Sequence, residues 1–436
     1  MVSCNQTSQP ATASAAVVKT VADLRTFSDK NVNSVITEGY NYSGDGCGYT
    51  YLRDTVRKNS SDNGGTVIVS EDGTRWRAVY SGSLPLKLFG AAGDGSTDDT
   101  GAIKRWLNCL ENGKSGYVTA GDYVFTEPLT FPRLDNVSVY GDGQHQSRFV
   151  YRGENRDTDL ITVGSEKTNS YGVELRGLNI ESAVHMDGGY ALRLVSLKHK
   201  CLVRDVSISS IDGKNGCNLW DGVFFDRCSL TDYVGFSINV QNEAISVCGT
   251  PFDDSAADVL IDEGTIVGSR VGIHCGGGFG GLYVRQVLIY GCTETGYLQD
   301  NALAKRGNRE IFISDMCVLD ACHSYCALID DSESLQCTLQ FGAFISGAGW
   351  ISPATPGVGL KIKSLPQGRV SVTSSHIKHC VSDGIQISDK TTLIAFAPTV
   401  YIVGNGGYGI RMPSDSGGMT GSPILLSNSL GKIKKD

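Results

Sequence analysis

From Tyr117 onward the chain repeats one pattern: apolar-x-apolar, two residues, apolar-x-apolar, a variable turn, then Gly-apolar-x-apolar. Alternation with a period of two predicts short strands that each bury one face. Copies begin at Val173, Cys201, Val223, Val259, Leu282, Ile311, Leu339, Val370 and Ile394, with spacings of 22 to 36 residues. Three strands per copy at such a period are typical of a β-solenoid, in which every copy covers its neighbours. We therefore expect an all-β fold whose body is a stacked rod of nine rungs, preceded by irregular early rungs.

A short helical pattern lies just before these repeats. Four apolar residues recur at i, i+3, i+4 and i+7, and they are Ile103, Trp106, Leu107 and Leu110. This spacing places them on one stripe of a helix. Thr97 or Asp98 would supply the N-cap, and Gly113 would end the helix.

The same stretch holds an acidic cluster, Asp94, Asp98 and Asp99, between several glycines. Aspartates at turns and helix starts hydrogen-bond the local backbone. We interpret this cluster as turn and cap residues and place no chemistry there.

Composition narrows the class of protein. A formal net charge of −8 argues against a nucleic-acid partner, and no apolar run is long enough to insert into a membrane. The N-terminus lacks the features of a signal peptide, so the 14 cysteines are expected to be reduced. Cys201, Cys228, Cys275 and Cys317 occupy apolar positions and should be buried thiols. The group around Cys317, Cys322, His323 and Cys326 lacks the usual zinc spacing, so neither a metal nor another cofactor is expected.

Residues 1–20 are rich in Ser, Thr, Ala and Gln and suggest a flexible arm. Three glycine-rich strand motifs follow: Gly44-Asp-Gly-Cys-Gly-Tyr-Thr-Tyr, Asp62-Asn-Gly-Gly-Thr-Val-Ile-Val and Gly73-Thr-Arg-Trp-Arg. In this order they resemble the small domain that precedes the β-helix in many bacteriophage tailspikes. The stretch from Phe89, Phe-Gly-Ala-Ala-Gly-Asp-Gly-Ser-Thr-Asp-Asp-Thr, is similar to a motif of the pectate lyase-like family of right-handed parallel β-helices.

This resemblance implies a small N-terminal β-rich cap domain, one helix that plugs the rod, and a right-handed parallel β-helix. We assign residues 1–20 to the arm, 21–85 to a virion-side domain, 86–113 to the motif and capping helix, 114–412 to the β-helix and 413–436 to a C-terminal tail. It also implies a homotrimer that is assembled in the bacterial cytoplasm, attached through its N-terminus to a phage tail or baseplate protein, and directed at a bacterial surface polysaccharide.

Outward residues at equivalent places in successive rungs line up as columns. One column contains Arg176, Arg204, Asp226, Asp262 and Arg285, which we interpret as a surface ladder of ion pairs. A second column contains Trp220, Asn239, His274, Asp300 and Asp330. An aromatic ring beside amides and carboxylates suits sugar binding, because sugar rings stack on aromatic faces and their hydroxyls need donors and acceptors.

The longest spacing follows the Val223 copy and brings Glu243, Asp253 and Asp254 towards the second column. Carboxyl groups in different environments can divide acid and base work on a glycosidic bond. We therefore place Glu243, Asp254 and Asp300 in the catalytic roles. Trp220, Asn239, Asp253, His274 and Asp330 are the candidate substrate-binding residues.

The resulting hypothesis is a phage tailspike that binds and hydrolyses host capsule or O-antigen. Two alternatives stay open: a polysaccharide lyase acting on a uronic-acid polymer, and a receptor-binding or structural spike without catalysis. A polygalacturonase shares the fold, but its Gly-His-Gly and Arg-Ile-Lys signatures are missing.

Overall fold

The computed structural model of the protein describes residues 14–57, 59–131, 135–209, 218–249, 257–334, 337–352, 355–416 and 418–436. Their strands form three sheets, here called sheet I, sheet II and sheet III, with 5, 12 and 22 strands. Sheets II and III are the walls of one parallel β-solenoid. The predicted all-β architecture, a right-handed parallel β-helix, is thus confirmed.

Sheet I lies at the N-terminus. In spatial order its strands are Ser14–Val18, Val32–Thr37, Thr50–Arg53, Arg75–Ala78 and Val67–Val69. The helix Val21–Thr26 connects the first two, which therefore pair in parallel. Because Ser14–Val18 is a strand of this sheet, the interpretation of all of residues 1–20 as a flexible arm is wrong for this part. Residues 1–13 lie outside the described ranges.

Sheet II forms one flat wall of the solenoid. Its strands are Leu129–Phe131, Ile161–Gly164, Tyr190–Val195, Asp221–Asp226, Glu243–Cys248, Val271–Cys275, Thr295–Gln299, Tyr325–Asp330, Val358–Ser364, Ile385–Ile387, Tyr408–Met412 and Gly431–Lys435.

Sheet III forms the rest of the wall. Its first eleven strands are Leu84–Pro85, Asp94–Asp98, Ser115–Val118, Gly121–Phe125, Ser138–Gly141, Ser147–Tyr151, Ser170–Tyr171, Glu174–Ser182, Leu197–Ile208, Ser229–Ile238 and Ala257–Val267. The remaining eleven are Gly281–Tyr290, Glu310–Ile313, Val318–Asp320, Thr338–Phe341, Phe344–Ser346, Arg369–Val372, His376–Lys378, Leu393–Phe396, Tyr401–Val403, Met419–Thr420 and Ile424–Leu426.

A sharp bend divides the long strands of sheet III into two faces. The bend directly follows the column of stacked residues that contains Arg204 and Asp262. At the bend, each of five successive rungs has one residue with a positive φ: Gly177, Asp205, Gly235, Glu263 and Gln286. One residue per rung in the left-handed conformation turns the chain, and the hydrogen bonds between neighbouring rungs continue on both sides of the turn. Glycine adopts this conformation freely, whereas the other three side chains hold it at a steric cost that the stacked rungs must offset.

The strand register corrects two sequence assignments. Val223 belongs to sheet II, and the strand that aligns with Cys201 and Val259 in sheet III contains Thr231. Asp226 therefore does not stack on Asp262; the intervening residue in that column is Val234. The expected ladder of ion pairs is present in part, between Asp262 and Arg285 on the next rung. There the Arg285 guanidinium donates to Asp262 from Nε at 3.1 Å.

The capping helix runs from Thr100 to Cys109 and is preceded by a 3-10 turn, Leu86–Phe89. Trp106 is fully buried, and its indole nitrogen donates to the Leu84 carbonyl at 2.9 Å. The N-cap is Asp99, which directly follows the predicted candidates Thr97 and Asp98, and the helix ends before Gly113.

The aspartates of this stretch have the expected structural roles. Asp94 accepts the backbone N–H groups of Ser96 and Thr97, while Asp99 accepts those of Ala92 and Gly93. They close the turn that leads into the helix. No chemistry is needed to explain them.

The C-terminal end continues the solenoid. The strands Met419–Thr420, Ile424–Leu426 and Gly431–Lys435 pair in parallel with the preceding rung. The predicted boundary at residue 413 therefore does not end the β-helix. Every cysteine in the described ranges is a free thiol, and the four assigned to apolar positions are buried.

The cap makes a direct stability prediction. Replacing Trp106 with Ala should lower the free energy of unfolding by about 3–5 kcal/mol, because it empties a fully buried site above the first rungs. Asp94→Asn, in an exposed turn, is the matched control and should cost less than about 1 kcal/mol. Urea unfolding followed by circular dichroism measures both. Equal stability of the two variants would contradict the role of the cap.

Candidate active site on sheet II

Four neighbouring strands of sheet II carry the site: Asp221–Asp226, Glu243–Cys248, Val271–Cys275 and Thr295–Gln299. The second residue of each is small, and they are Gly222, Ala244, Gly272 and Gly296. A Cβ at Gly272 would lie 2.4 Å from the Gly296 carbonyl oxygen, so the rungs can stack closely only with small residues there. This packing leaves the flanking polar side chains on the outer face of the sheet.

His274 joins two carboxylates across this face. Its Nδ1 lies 2.8 Å from Glu243 Oε2, and its Nε2 lies 2.8 Å from Asp300 Oδ1. His274 is only 3% exposed, so water contributes little to its solvation. In the doubly protonated form both ring nitrogens donate to a carboxylate, and the buried charge is fully paired.

Electrostatics favour that charged form. Burial alone would lower the pKa of His274, but hydrogen bonds to Asp300 and Glu243, and their charges, raise it to about 9. Burial likewise opposes the charge of the two carboxylates, yet the hydrogen bond and charge of His274 hold the pKa of Glu243 and of Asp300 below the ordinary values. All three groups are therefore ionised at neutral pH.

Glu243 has further partners. Ser246 Oγ donates to its Oε2 at 2.7 Å, and Arg270 donates to its Oε1 at 3.1 Å. Arg270 in turn donates to Asn242 and to Glu294, which fixes the guanidinium at the corner of the rungs. The carboxylate of Glu243 is thus held in one orientation and in one charge state.

Asp221 lies one rung before Glu243 and behaves differently. Its Oδ1 accepts the backbone N–H of Glu243 at 2.9 Å and the side-chain amide of Asn242 at 2.8 Å. Burial, reinforced by the nearby charge of Glu243, raises the pKa of Asp221 to about 6. Two adjacent carboxyl groups therefore differ in protonation: Asp221 can hold a proton near neutral pH, and Glu243 cannot.

Asp300 is positioned from inside the solenoid. Asn308 donates to the Asp300 carbonyl at 3.0 Å and to Asp331 Oδ2 at 2.8 Å, and Gln299 also donates to Asp331. Asp331 and Gln299 are fully buried, which makes this polar network costly to disrupt. It fixes the start of the loop that follows Asp300, whose own side chain keeps 20% of its surface exposed.

The predicted site residues meet different outcomes. The structure brings Glu243, His274 and Asp300 into one hydrogen-bonded cluster. Asp330 lies one rung beyond Asp300 and pairs with Lys363 at 2.7 Å. Trp220 precedes Asp221 at the corner of the sheet and packs partly buried against the core.

The remaining candidates are not part of the cluster. Asn239 follows a strand of sheet III and donates to the Val267 carbonyl, so it belongs to a different corner. Asp253 and Asp254 lie outside the described residues. The long excursion after a Val223 copy, to which Glu243, Asp253 and Asp254 were assigned, does not exist as predicted, because Val223 belongs to sheet II and Glu243 begins the next strand of that sheet.

Several residues escaped the sequence analysis. Asp221 was not predicted, because the Val223 copy was assigned to the wrong sheet. Gly222 could have identified it, since a small second residue is common to the four strands of sheet II that carry the site. Phe224 and Tyr190 stack with ring centroids 4.8 Å apart on the same outer face. Beside them Arg193 donates to Asp226 at 2.7 Å, which gives Asp226 a partner in sheet II.

Within the described part of the chain, no group of three or more His, Cys, Asp or Glu side chains is placed to hold a metal ion. None of the described helices is long and apolar enough to cross a membrane.

The raised pKa of His274 predicts a pH dependence of stability. The folded state binds a proton that the unfolded chain releases near pH 6.5, so this contribution is complete below pH 6.5 and is lost as the pH rises through about 9. The loss is on the order of a few kcal/mol. Thermal unfolding between pH 6 and pH 10 should show it, and His274→Gln should remove that part of the slope. An unchanged slope in the variant would contradict the paired imidazolium.

Two family descriptions match the chain. Residues 17–81 match the phage tail protein small four-stranded β-sheet domain, and residues 86–296 match the rhamnogalacturonase A/epimerase, pectate lyase-like family. A Mu-like prophage FluMu defective tail fiber protein of Haemophilus influenzae is 29% identical over 140 residues. That match covers 31% of this chain and spans only 22% of the length of the relative.

Solved structures share the fold. The enzymatically active domain of bacteriophage CBA120 tailspike protein 2 aligns over 97% of this chain and 57% of its own length, with a TM-score of 0.50 and 15% identity. The catalytic unit of a thermostable GH87 α-1,3-glucanase from Streptomyces thermodiastaticus aligns over 84% of this chain and 75% of its own, with a TM-score of 0.53 and 16% identity. Residues 17–81 thus match a phage tail domain and residues 86–296 a pectate lyase-like domain, and together with the parallel solenoid these two matches support a phage tailspike of the pectate lyase-like β-helix family.

Proposed function

We propose that this chain is the polysaccharide-degrading spike of a phage tail, and that it hydrolyses a bacterial surface polysaccharide on the outer face of sheet II. One observation carries the proposal: Asp221 and Glu243 lie on adjacent rungs, and their pKa values are shifted in opposite directions. Such a split is how paired carboxyl groups divide acid and base work. The solved relatives named as enzymatically active or as a glucanase support this class of reaction.

The spacing of the pair suggests a mechanism. The backbones of adjacent rungs are about 4.8 Å apart, so side chains on neighbouring rungs can bring two carboxyl groups within the roughly 5–5.5 Å that retaining glycosidases use. Protonated Asp221 donates its proton to the glycosidic oxygen while the Glu243 carboxylate attacks the anomeric carbon and the leaving sugar departs. Asp221, now ionised, then takes a proton from water, whose oxygen displaces Glu243.

His274 and Asp300 are positioning residues in this scheme. The imidazolium keeps Glu243 ionised, and Asp300 keeps the imidazolium charged. The stacked rings of Phe224 and Tyr190 offer an apolar platform for a sugar beside the reacting bond.

The same groups argue against a lyase. A lyase needs an unprotonated base next to the α-proton of a uronic acid. Both ring nitrogens of His274 are engaged, and burial raises the pKa of Tyr190, so neither is a ready base. Hydrolysis, by contrast, requires one protonated and one ionised carboxyl group, which Asp221 and Glu243 can supply.

Activity assays on extracted host polysaccharide test the assignment. Wild-type protein should shorten the polymer, as seen by size-exclusion chromatography. Glu243→Gln should reduce kcat at least about 1000-fold and Asp221→Asn at least about 100-fold. Because Asp221 acts in its protonated form, kcat/KM of the wild type should fall as the pH rises above about 6.

The matched control is Asp262→Asn, a buried carboxylate that pairs with Arg285 on sheet III. It should cleave like the wild type. Full activity of both Glu243→Gln and Asp221→Asn would refute the site. Binding of the polymer without any change in its size would favour a receptor-binding spike, and products with an unsaturated uronic acid would favour a lyase.

We also infer a parallel homotrimer attached to the phage tail through its N-terminal domain. The match of residues 17–81 to a phage tail domain supports the attachment. On sheet III one outward column changes along the rod from small polar residues to apolar and aromatic ones: Ser207, Ser237, Thr265, Leu288, Val318, Phe344, His376 and Tyr401. Tyr290 beside it is 44% exposed. Such a stripe suits contact between chains.

This assembly has its own test. Replacing Leu288 and Tyr290 together with Asp should weaken the trimer, because it places charges in an apolar contact. Light scattering after size exclusion should then report monomers at micromolar concentration. Lys363→Asp, on an exposed position of sheet II, is the control and should stay trimeric. A wild-type monomer would contradict the inference.

A further inference from the structure

Charge is unevenly distributed along the solenoid. Residues 351–436 contain nine Lys and Arg, four Asp and no Glu, whereas the whole chain has a net charge of −8. The last rungs are therefore basic on an otherwise acidic protein. A local excess of positive charge attracts anionic ligands.

One of these cations is buried on the face that carries the proposed active site. Lys361 is only 9% exposed and lies in the same outward column as His274, separated from it by Leu298 and Leu328. Three rung spacings correspond to about 14 Å along the rod. A polymer that runs along this column from His274 would pass over Lys361.

Lys361 has an incomplete set of partners. Its Nζ donates to Ser388 Oγ at 2.6 Å, and within the described residues no carboxylate lies within ion-pair distance of it. An ammonium group has three donors, so a single hydroxyl leaves two of them available. Burial lowers the pKa of Lys361, and the nearby cations Lys363 and Arg411 act in the same direction, so the attraction of the more distant Asp383 and Asp330 does not compensate its charge.

Ser388 also lines a cavity of about 390 Å³ at the end of sheet II. Gln386, Lys390 and Arg411 contribute to its wall, and its two acidic residues, Asp415 and Asp436, are each paired with a cation. The volume falls within the usual range of small-molecule sites. The cavity is thus a polar recess in which the neighbouring carboxylates are already neutralised.

We propose that Lys361 and this cavity form a subsite for a sugar that carries an anionic group, so that the polysaccharide is acidic. The ligand class is a pyranose with a carboxylate or phosphate substituent. Its anion pairs with Lys361 Nζ, while Ser388 and Gln386 meet the hydroxyls. This inference rests on the proposed function only in its claim that the polymer runs along sheet II.

A titration tests the subsite without any cleavage. The protein is labelled with ¹³C at lysine Cε, and the Lys361 signal is identified by its absence in Lys361→Met. Sodium glucuronate, glucose 6-phosphate and glucose are added at constant ionic strength and pH 7. At least one of the two anionic sugars should shift the Lys361 signal saturably, and the comparison identifies the anion. Glucose should not.

Lys432, an exposed lysine on the last strand of the same sheet, is the internal control, and its signal should show no saturable shift. Lys361→Arg should still bind in a direct calorimetric titration, whereas Lys361→Met should not, although both unfold at the wild-type temperature. The proposal is overturned if neither anion gives a saturable shift, or if glucose shifts the signal as much as the anions.

The polymer supplies a second readout. On the polysaccharide that the wild type cleaves, Lys361→Met should raise KM about tenfold at unchanged kcat, since it removes a contact far from the reacting bond. An unchanged KM would overturn the subsite and leave the proposed function intact. A saturable shift of the Lys361 signal with no cleavage of any polymer would support the subsite and contradict the proposed function.

Discussion

Parallel stacking in register is the constraint on which the rest of the molecule depends. Each rung buries its inward side chains on those of its neighbours, so no rung is stable alone and the register must be kept from one to the next. Small residues such as Gly272 permit this close approach on sheet II, and single left-handed residues bend sheet III without breaking its ladder. The same register aligns the outward residues. It brings Asp221, Glu243, His274 and Asp300, which span 80 positions of the sequence, onto one face.

The hydrogen-bonded cluster of Glu243, His274 and Asp300 determines the charges of its members as well as their positions. A buried imidazolium is tolerated only because a carboxylate receives each of its nitrogens, and losing either partner would leave an uncompensated charge in the wall. That pairing fixes Glu243 as an anion. The anion, together with burial, then keeps a proton on Asp221 closer to neutral pH. The two adjacent carboxyl groups differ because burial raises the pKa of Asp221, whereas the hydrogen bond and charge of His274 lower the pKa of Glu243.

Much of the fold follows from local sequence. The apolar spacing around Trp106 is sufficient to predict the helix, and Asp94 and Asp99 hydrogen-bond the nearby backbone as aspartates in turns do. His274 and Asp300 could be grouped because they belong to, or directly follow, strands of one pattern. Glu243 was placed beside them as part of a long excursion, whereas the structure shows that it begins a strand of sheet II.

The failures have a common physical cause. The segment from Gly222 to Phe225 alternates like the strands of either sheet, and only its hydrogen-bonded neighbours show that it belongs to sheet II. That one misassignment displaced Asp226, concealed the role of Asp221 and created the long excursion to which Glu243, Asp253 and Asp254 were assigned. The pKa of Asp221 could not be predicted at all, because it depends on burial by residues remote in sequence.

A crystal structure of Glu243→Gln with an oligosaccharide prepared from the bound polymer is the most direct test of the proposed site. The predicted result is a sugar chain on sheet II whose glycosidic oxygen lies within hydrogen-bond distance of Asp221. A sugar chain bound on sheet III, or on sheet II away from Asp221, would contradict the proposed site.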